Sequence, residues 1–362
     1  MGIAIEKGFH SLAEVLLQNG VPADGRALLR AAEFRNKDIV ELMFQSGAEV
    51  SMVDFNYIAR IGEPQIIRMF IDRGADLITD FPIAKGLIRQ TRLFLGIYKT
   101  YIGERPELQL QADMALRHFC EEGNLRGVSL LMWLGANPRA RVPREADESE
   151  ELWSTALEAA ASKGQLDVIK RLKPNPEKDD VHSLLHESLH CRNMDLVRYW
   201  VSLGADINRV ESEGWTAHHL VASSLSWALD PRDRWYFRSE TKRFAQEWFS
   251  FGAKWIPQGD DIGVIRQALC RLSYMEAYEF IKLLRKKEVM SADSLGEILD
   301  APRLRKHLKP RHAAIAALVP RMQKWIKSET RRRQREQVRQ GATRSLGRQP
   351  SPPRAAPEPR VM

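Results

Sequence analysis

The chain has 362 residues, 44% hydrophobic and 28% charged, which is the composition of a folded protein and is long enough for one extended array or two or three ordinary domains. No stretch is long and apolar enough to span a bilayer. Met1 to His10 includes Glu6 and lacks the apolar core of a secretory signal. The net charge of +8 is uneven: residues 301–362 hold 17 Lys/Arg against 3 Asp/Glu, net +14, leaving 38 against 44, net −6, for the body. A nucleic-acid-binding face across the whole chain is therefore not expected. The three cysteines, Cys120, Cys191 and Cys270, are far apart and form no CxxC pair. That pattern fits free thiols in a cytoplasmic setting and excludes a zinc knuckle or thioredoxin motif.

In chain order, one phrase recurs: Gly47-Ala48-Glu49, Gly74-Ala75-Asp76, Gly135-Ala136-Asn137, Gly204-Ala205-Asp206 and Gly252-Ala253-Lys254, with Gly20-Val21-Pro22 as a weaker first copy. Apolar pairs stand at fixed offsets before it, Ile39-Val40 and Leu42-Met43, Ile66-Ile67 and Met69-Phe70, Leu196-Val197 and Tyr199-Trp200, the spacing of one helix face. The glycine after the last turn suits a left-handed helix stop. Twelve residues upstream, Gly8, Gly62 and Gly123 mark a tight turn from a preceding helix. Short first helices are expected over Asp24 to Ala32, Met114 to Glu122, Thr155 to Lys163 and Ser183 to Cys191. Each unit is thus helix, turn, helix, Gly-capped loop, and no unit buries its apolar stripes alone, so neighbours must stack.

This pattern resembles ankyrin repeats, whose units run about 33 residues and open on T-P-L-H-x-A. The best match is Gly214-Trp215-Thr216-Ala217-His218-His219-Leu220-Val221-Ala222, with weaker echoes at Thr155-Ala156-Leu157 and Ser183-Leu184-Leu185-His186. The resemblance covers about residues 1–255 and continues faintly to 300. It implies an all-α, ankyrin-like helical repeat solenoid of helix-turn-helix units with inserted helices and loops. The expected organisation is an array over 1–300, a C-terminal capping helix region over 301–327 and a basic, Pro-rich disordered tail over 328–362.

Departures are equally readable. The early spacing is 27 residues, so the early hairpin fingers should be short or absent. Phe81 to Gln109 reads as one inserted helix or a very worn repeat. The second helix at Leu166–Leu172 meets Pro174 and Pro176 and should stop about a turn early. A second insertion falls at 223–241. Only half of a first helix precedes Gly8, so the first repeat starts short or another segment covers its edge.

Four features are candidate sites. Trp227 to Arg238 combines aromatics with arginines, the types enriched in binding hot spots, and makes Trp227, Arg232, Arg234, Trp235 and Tyr236 candidate partner contacts; the same rings also suit packing of the insertion onto the array. A long finger, Arg139 to Glu151, adds Arg139 and Arg141, against the plainer reading of a solvated loop. His182, His186 and His190 share a helix face, and His186-Glu187-Ser188-Leu189-His190 matches HExxH, which offers two zinc ligands and a general base in Glu187; His186 also falls on the repeat's own structural histidine position. The Arg331 to Arg339 run suits an anionic surface or a solubilising extension.

The chain lacks GxGxxG, Walker, GxSxG and CxxC motifs. From the resemblance, the expected function is a non-catalytic protein–protein interaction scaffold, not an enzyme. It needs no cofactor or metal and takes no small-molecule substrate. Its partner is a protein of unknown identity, with nucleic acid reached only through the tail. The alternatives are a metal-dependent hydrolase on His186-Glu187-His190 and an adaptor docking on nucleic acid or anionic membrane through the tail. The register itself is testable: Gly47→Val or Gly74→Val is expected to cost about 1–2 kcal/mol in thermal unfolding, and an unchanged melting curve removes the assignment.

Overall fold

The computed structural model describes residues 1–144 and 149–209, the helix Ala313–Leu346, and scattered positions between 243 and 285. The chain divides into two compact units, Met1–Asp206 and Ile207–Met362. Among the described residues no helix is long and apolar enough to cross a membrane.

The first unit is a stack of helix pairs: α1 (Gly2–Glu6) with α2 (His10–Gln18), α3 (Gly25–Glu33) with α4 (Lys37–Gln45), α5 (Phe55–Ile61) with α6 (Pro64–Asp72), α7 (Pro82–Arg89) with α8 (Thr91–Tyr101), α9 (Leu108–Glu121) with α10 (Leu125–Trp133), α11 (Ala156–Ser162) with α12 (Leu166–Leu172), and α13 (Val181–Ser188) with α14 (Met194–Ser202). First helices pack on first helices from α1 through α13, and α2, α4, α6 and α8 form a second layer beside them. This is an all-α, ankyrin-like repeat solenoid. Its core is the seam between layers, where Leu28, Ile39, Met43, Ile58, Phe70, Phe94 and Trp200 are fully buried.

Two left-handed positions shape each pair except α7–α8. The phrase glycines all have positive φ, from +83° at Gly20 to +111° at Gly252. The upstream turn is left-handed too, at Gly8, Gly62 and Gly123 as expected, but also at Gly164 and at two arginines, Arg35 (φ +54°) and Arg192 (φ +52°). The next repeat's turn lies on these glycines: a Cβ on Gly62 would meet the Gln90 amide at 2.3 Å and one on Gly123 the Gln165 amide at 2.4 Å. Those amides donate to the carbonyls of Arg60 (3.4 Å) and Glu121 (3.3 Å), so each turn caps the end of the first helix before it.

A local side-chain cap explains seven of the fourteen helix starts described in the first unit. Asp24, Asn36, Asp54, Asn124, Asp180 and Asn193 each accept a backbone N–H from their own first turn. Thr155 and Glu158 form a reciprocal capping box at α11. Helix α12 has seven residues against nine in α4, α6, α10 and α14, the early stop expected ahead of Pro174.

The segment 81–109 holds two helices, not one. Helices α7 and α8 form a worn repeat, with α7 packed between α5 and α9, and α9 begins at Leu108, ahead of the expected Met114. Helix α7 lacks an N-cap, since Phe81 holds that position with φ +50°. Gln111 on α9 replaces it. Its side chain is 1% exposed, accepts from Ile83 N (2.9 Å) and Ala84 N (3.1 Å), and donates to the Leu77 carbonyl. Two residues further along α9, Asp113 accepts from Asn137 N (2.6 Å) and Gln109 Nε2 (2.9 Å). Between α6 and α8, Tyr101 donates to Asp72 Oδ1 at 2.6 Å, and burial with that bond pushes the phenol up to about 12. Lys99 of α8 sits 3.5 Å from the centre of the Trp133 ring of α10.

In the second unit Gly252 repeats the left-handed stop and Ala253 is buried behind it. Phe244 stacks on the fully buried Trp248 at 6.3 Å. Helix α15 (Ala313–Leu346) has 34 residues with Pro320 inside it. It crosses position 328, where the charge pattern places the start of a disordered tail. Arg, Gln, Glu and Ala are strong helix formers, so a basic run without apolar residues still propagates a helix begun upstream. An Arg332–Glu336 pair at 3.9 Å adds the usual i, i+4 support.

Two of the buried polar residues of α9, Gln111 and Asp113, can be tested. Gln111→Leu strands two N–H groups and a carbonyl in the core and is expected to cost about 2–4 kcal/mol in urea unfolding, whereas a surface glutamine such as Gln18 changed in the same way costs under about 0.5 kcal/mol. Burial raises the Asp113 pKa above its ordinary value, with the Asn137 and Gln109 bonds opposing. The folded state thus holds this proton more tightly than the unfolded chain, so Asp113 favours folding in acid and that contribution is lost as pH rises through the raised pKa. Asp113→Asn keeps an oxygen for both donors. Its stability relative to the parent is expected to rise as the pH climbs from the ordinary carboxylate value through the raised one, and a pH-independent difference removes the assignment.

Candidate protein-binding surface

The finger between α10 and α11 is tied to the body. Val142 and Ser154 exchange both backbone hydrogen bonds (3.1 and 3.2 Å) in one antiparallel bridge, and Arg117 Nε donates to Ser154 Oγ at 2.7 Å. The Glu121 carboxylate, 8% exposed, faces Arg117 (3.3 Å), Lys163 (3.5 Å) and Arg144. Three cations from three segments offset the cost of burying that charge. Arg139 grips Asp179 with two parallel bonds (2.7 and 2.9 Å), which lift its pKa further, and Asp179 also caps Asn175 N at 2.6 Å. Arg141 donates to the Trp153 carbonyl and pairs with Glu158 at 3.6 Å. The candidate contacts Arg139 and Arg141 are therefore engaged inside the chain, joining one repeat to the next. They remain 39% and 57% exposed. Trp227, Arg232, Arg234, Trp235 and Tyr236, and the signature at Thr216 and His219, lie outside the described residues.

The histidine row is split. His182 Nδ1 accepts the Asp206 N–H at 2.8 Å, tying α13 to the following Gly-Ala-Asp phrase. Helix α13 ends at Ser188, and His190 stands in the 3-10 turn Leu189–Cys191, exposed. The α-helical i, i+4 geometry that HExxH requires is thus interrupted between His186 and His190. Among the described residues no group of three or more His, Cys, Asp or Glu is placed to hold one metal ion. Burial pushes the Cys120 thiol up to about 12 and raises that of Cys191, whose Sγ lies 3.1 Å from the Ser162 carbonyl; neither has the thiolate character of a nucleophile.

A surface the sequence did not single out lies where α5 meets α7. A cleft of about 190 Å³ is lined by Tyr57, Arg60, Lys85, Arg89 and Gln90. Tyr57 is 48% exposed, with the Arg60 guanidinium 5.3 Å from its ring centre. Gln90 also borders a second, wider cleft of about 440 Å³ between the starts of α8 and α10, whose cations are Arg92 and Arg126. The five cations come from α5, α7, α8 and α10, and only stacking brings them together.

Because Arg139 and Asp179 join successive repeats while the arginine stays partly solvated, a double-mutant cycle with alanine at each is expected to give a coupling of about 0.5–1 kcal/mol in denaturant unfolding. A coupling near zero leaves Arg139 free for a partner.

No family model and no curated protein matches the chain. Among solved structures, it is similar to the ankyrin repeat domain of human ASB11, at 14% identity and a TM-score of 0.26, over 67% of this chain and 96% of that one. A likeness at that score carries no argument about function.

Proposed function

We propose that this chain is a non-catalytic, ankyrin-type protein-interaction scaffold. The observation that supports this is the cleft between α5 and α7. It places an exposed tyrosine beside arginines, at a junction between repeats, and aromatic and arginine side chains are the types that dominate binding energy in protein interfaces. Stacked repeats present such junctions side by side as one extended surface. The aromatic insertion with Trp227, Arg232, Arg234, Trp235 and Tyr236 is proposed as a second contact.

The test is affinity capture of the tagged full-length protein from its own lysate, with metal analysis of the same sample and rebinding of the purified partner. A stoichiometric protein that rebinds, and that is lost on Tyr57→Ala or on the Arg234→Ala/Trp235→Ala double variant, is expected. Near-equimolar zinc without a partner overturns the reading in favour of chemistry at the histidines.

A further inference from the structure

Residues 1–206 carry 25 Lys/Arg against 30 Asp/Glu, a net charge of −5. Within that acidic unit, 81–103 holds Lys85, Arg89, Arg92 and Lys99 and no acid at all. The two clefts that meet at Gln90 are lined by Arg60, Lys85 and Arg89 on one side and Arg92 and Arg126 on the other, with no carboxylate in either lining. Among the described residues none of the four arginines lies within ion-pair distance of a carboxylate; Lys85 alone has one, Asp80 at 3.8 Å, both exposed. Several guanidinium groups elsewhere in the unit, those of Arg73, Arg105, Arg139, Arg141 and Arg198, each have an acidic neighbour. A concentrated, uncompensated set of cations in a net-negative body is a local potential well for anions.

We infer that this band, running from the α5–α7 cleft around the α7–α8 turn, receives an acidic, extended segment of the partner protein. The inference rests on the scaffold reading above and names its partner's chemistry. Packed helices lie about 8–10 Å apart, a distance that about three residues of extended chain span. Acidic side chains three residues apart therefore meet cations on successive helices, first Arg60, then Lys85 and Arg89. Guanidinium forks take carboxylates with two parallel bonds, and Tyr57 offers a ring for an apolar residue between acids. A nucleic-acid backbone suits the site less well. It needs a long cationic track, and beyond this band the unit is acidic.

The test uses the full chain and a fluorescent peptide of repeating Glu-Pro-Ser, which is extended with a three-residue turn. Anisotropy at low salt is expected to show saturable binding that weakens as salt rises, with a Gln-Pro-Ser peptide not bound. Arg60→Gln/Arg89→Gln is expected to weaken binding about tenfold or more, and Lys178→Gln, remote from the clefts, to leave it unchanged. Circular dichroism and melting of each variant confirm folding, and Arg89→Gln alone serves if the pair does not fold. Equal binding of the two peptides, equal binding by the variant, or preferential binding of duplex DNA overturns the inference. A captured partner retained by Arg60→Gln/Arg89→Gln overturns the site and leaves the scaffold standing; no captured partner at all removes the scaffold reading itself.

Discussion

Six of the seven helix pairs described in the first unit, all but α7–α8, depend on the backbone turning left twice, at positions such as 62 and 74, or 123 and 135. A left-handed residue stops a helix within one position and fixes the direction in which the chain leaves it. In five of these pairs the two stops stand 12 residues apart, at 8 and 20, 35 and 47, 62 and 74, 123 and 135, and 192 and 204, which fixes the length of the second helix. The upstream stop also creates a surface with no side chain, and the following repeat uses it. Gln90 lies over Gly62, and Gln165 over Gly123, close enough to cap the carbonyls there. The left-handed turn is thus the point where secondary structure and stacking become one constraint.

The middle of the unit is held differently from its start. From α1 to α6 the junctions are apolar and aromatic, as at Phe44 and Phe70, whose rings meet edge to face at 5.1 Å. From α6 onward buried polar groups accumulate: Tyr101 on Asp72, Gln111 under α7, Asp113 under the finger, Glu121 among three cations. Each joins segments that differ in length or shape from the regular unit. Hydrogen bonds, which demand direction as well as contact, fix geometry where the repeat pattern no longer does.

The parts legible in the sequence are those written locally. The Gly-Ala phrases, the apolar offsets and the early end of α12 all sit within a few residues of the structure they determine. Arg35 and Arg192 are not legible, because a non-glycine residue gives no sign of a left-handed backbone held by its surroundings. The Gln111 clamp is hidden for another reason: its partners lie 28, 27 and 34 residues away. The worn α7–α8 repeat lacks the Gly-Ala phrase and shows in the sequence through apolar content alone. The cationic clefts have no motif, since their residues are adjacent only after stacking. The HExxH letters mislead in the opposite sense, a local match whose helix passes into a 3-10 turn between the two histidines.

In an array of self-sufficient units folding can begin at any point and spread both ways. Gln111 removes that freedom at one junction. The first turn of α7 has no cap of its own and receives one only from α9, so the α7–α8 unit is conditional on the unit that comes after it in the chain. During synthesis the fourth pair therefore emerges before the residue that completes it. It waits through the ten residues from Tyr101 to Gln111, on the order of a second at ribosomal speed, as an unfinished edge on the pairs already folded. The same dependence makes loosening at α9 propagate backward along the chain, so these two repeats open and close as a single cooperative block.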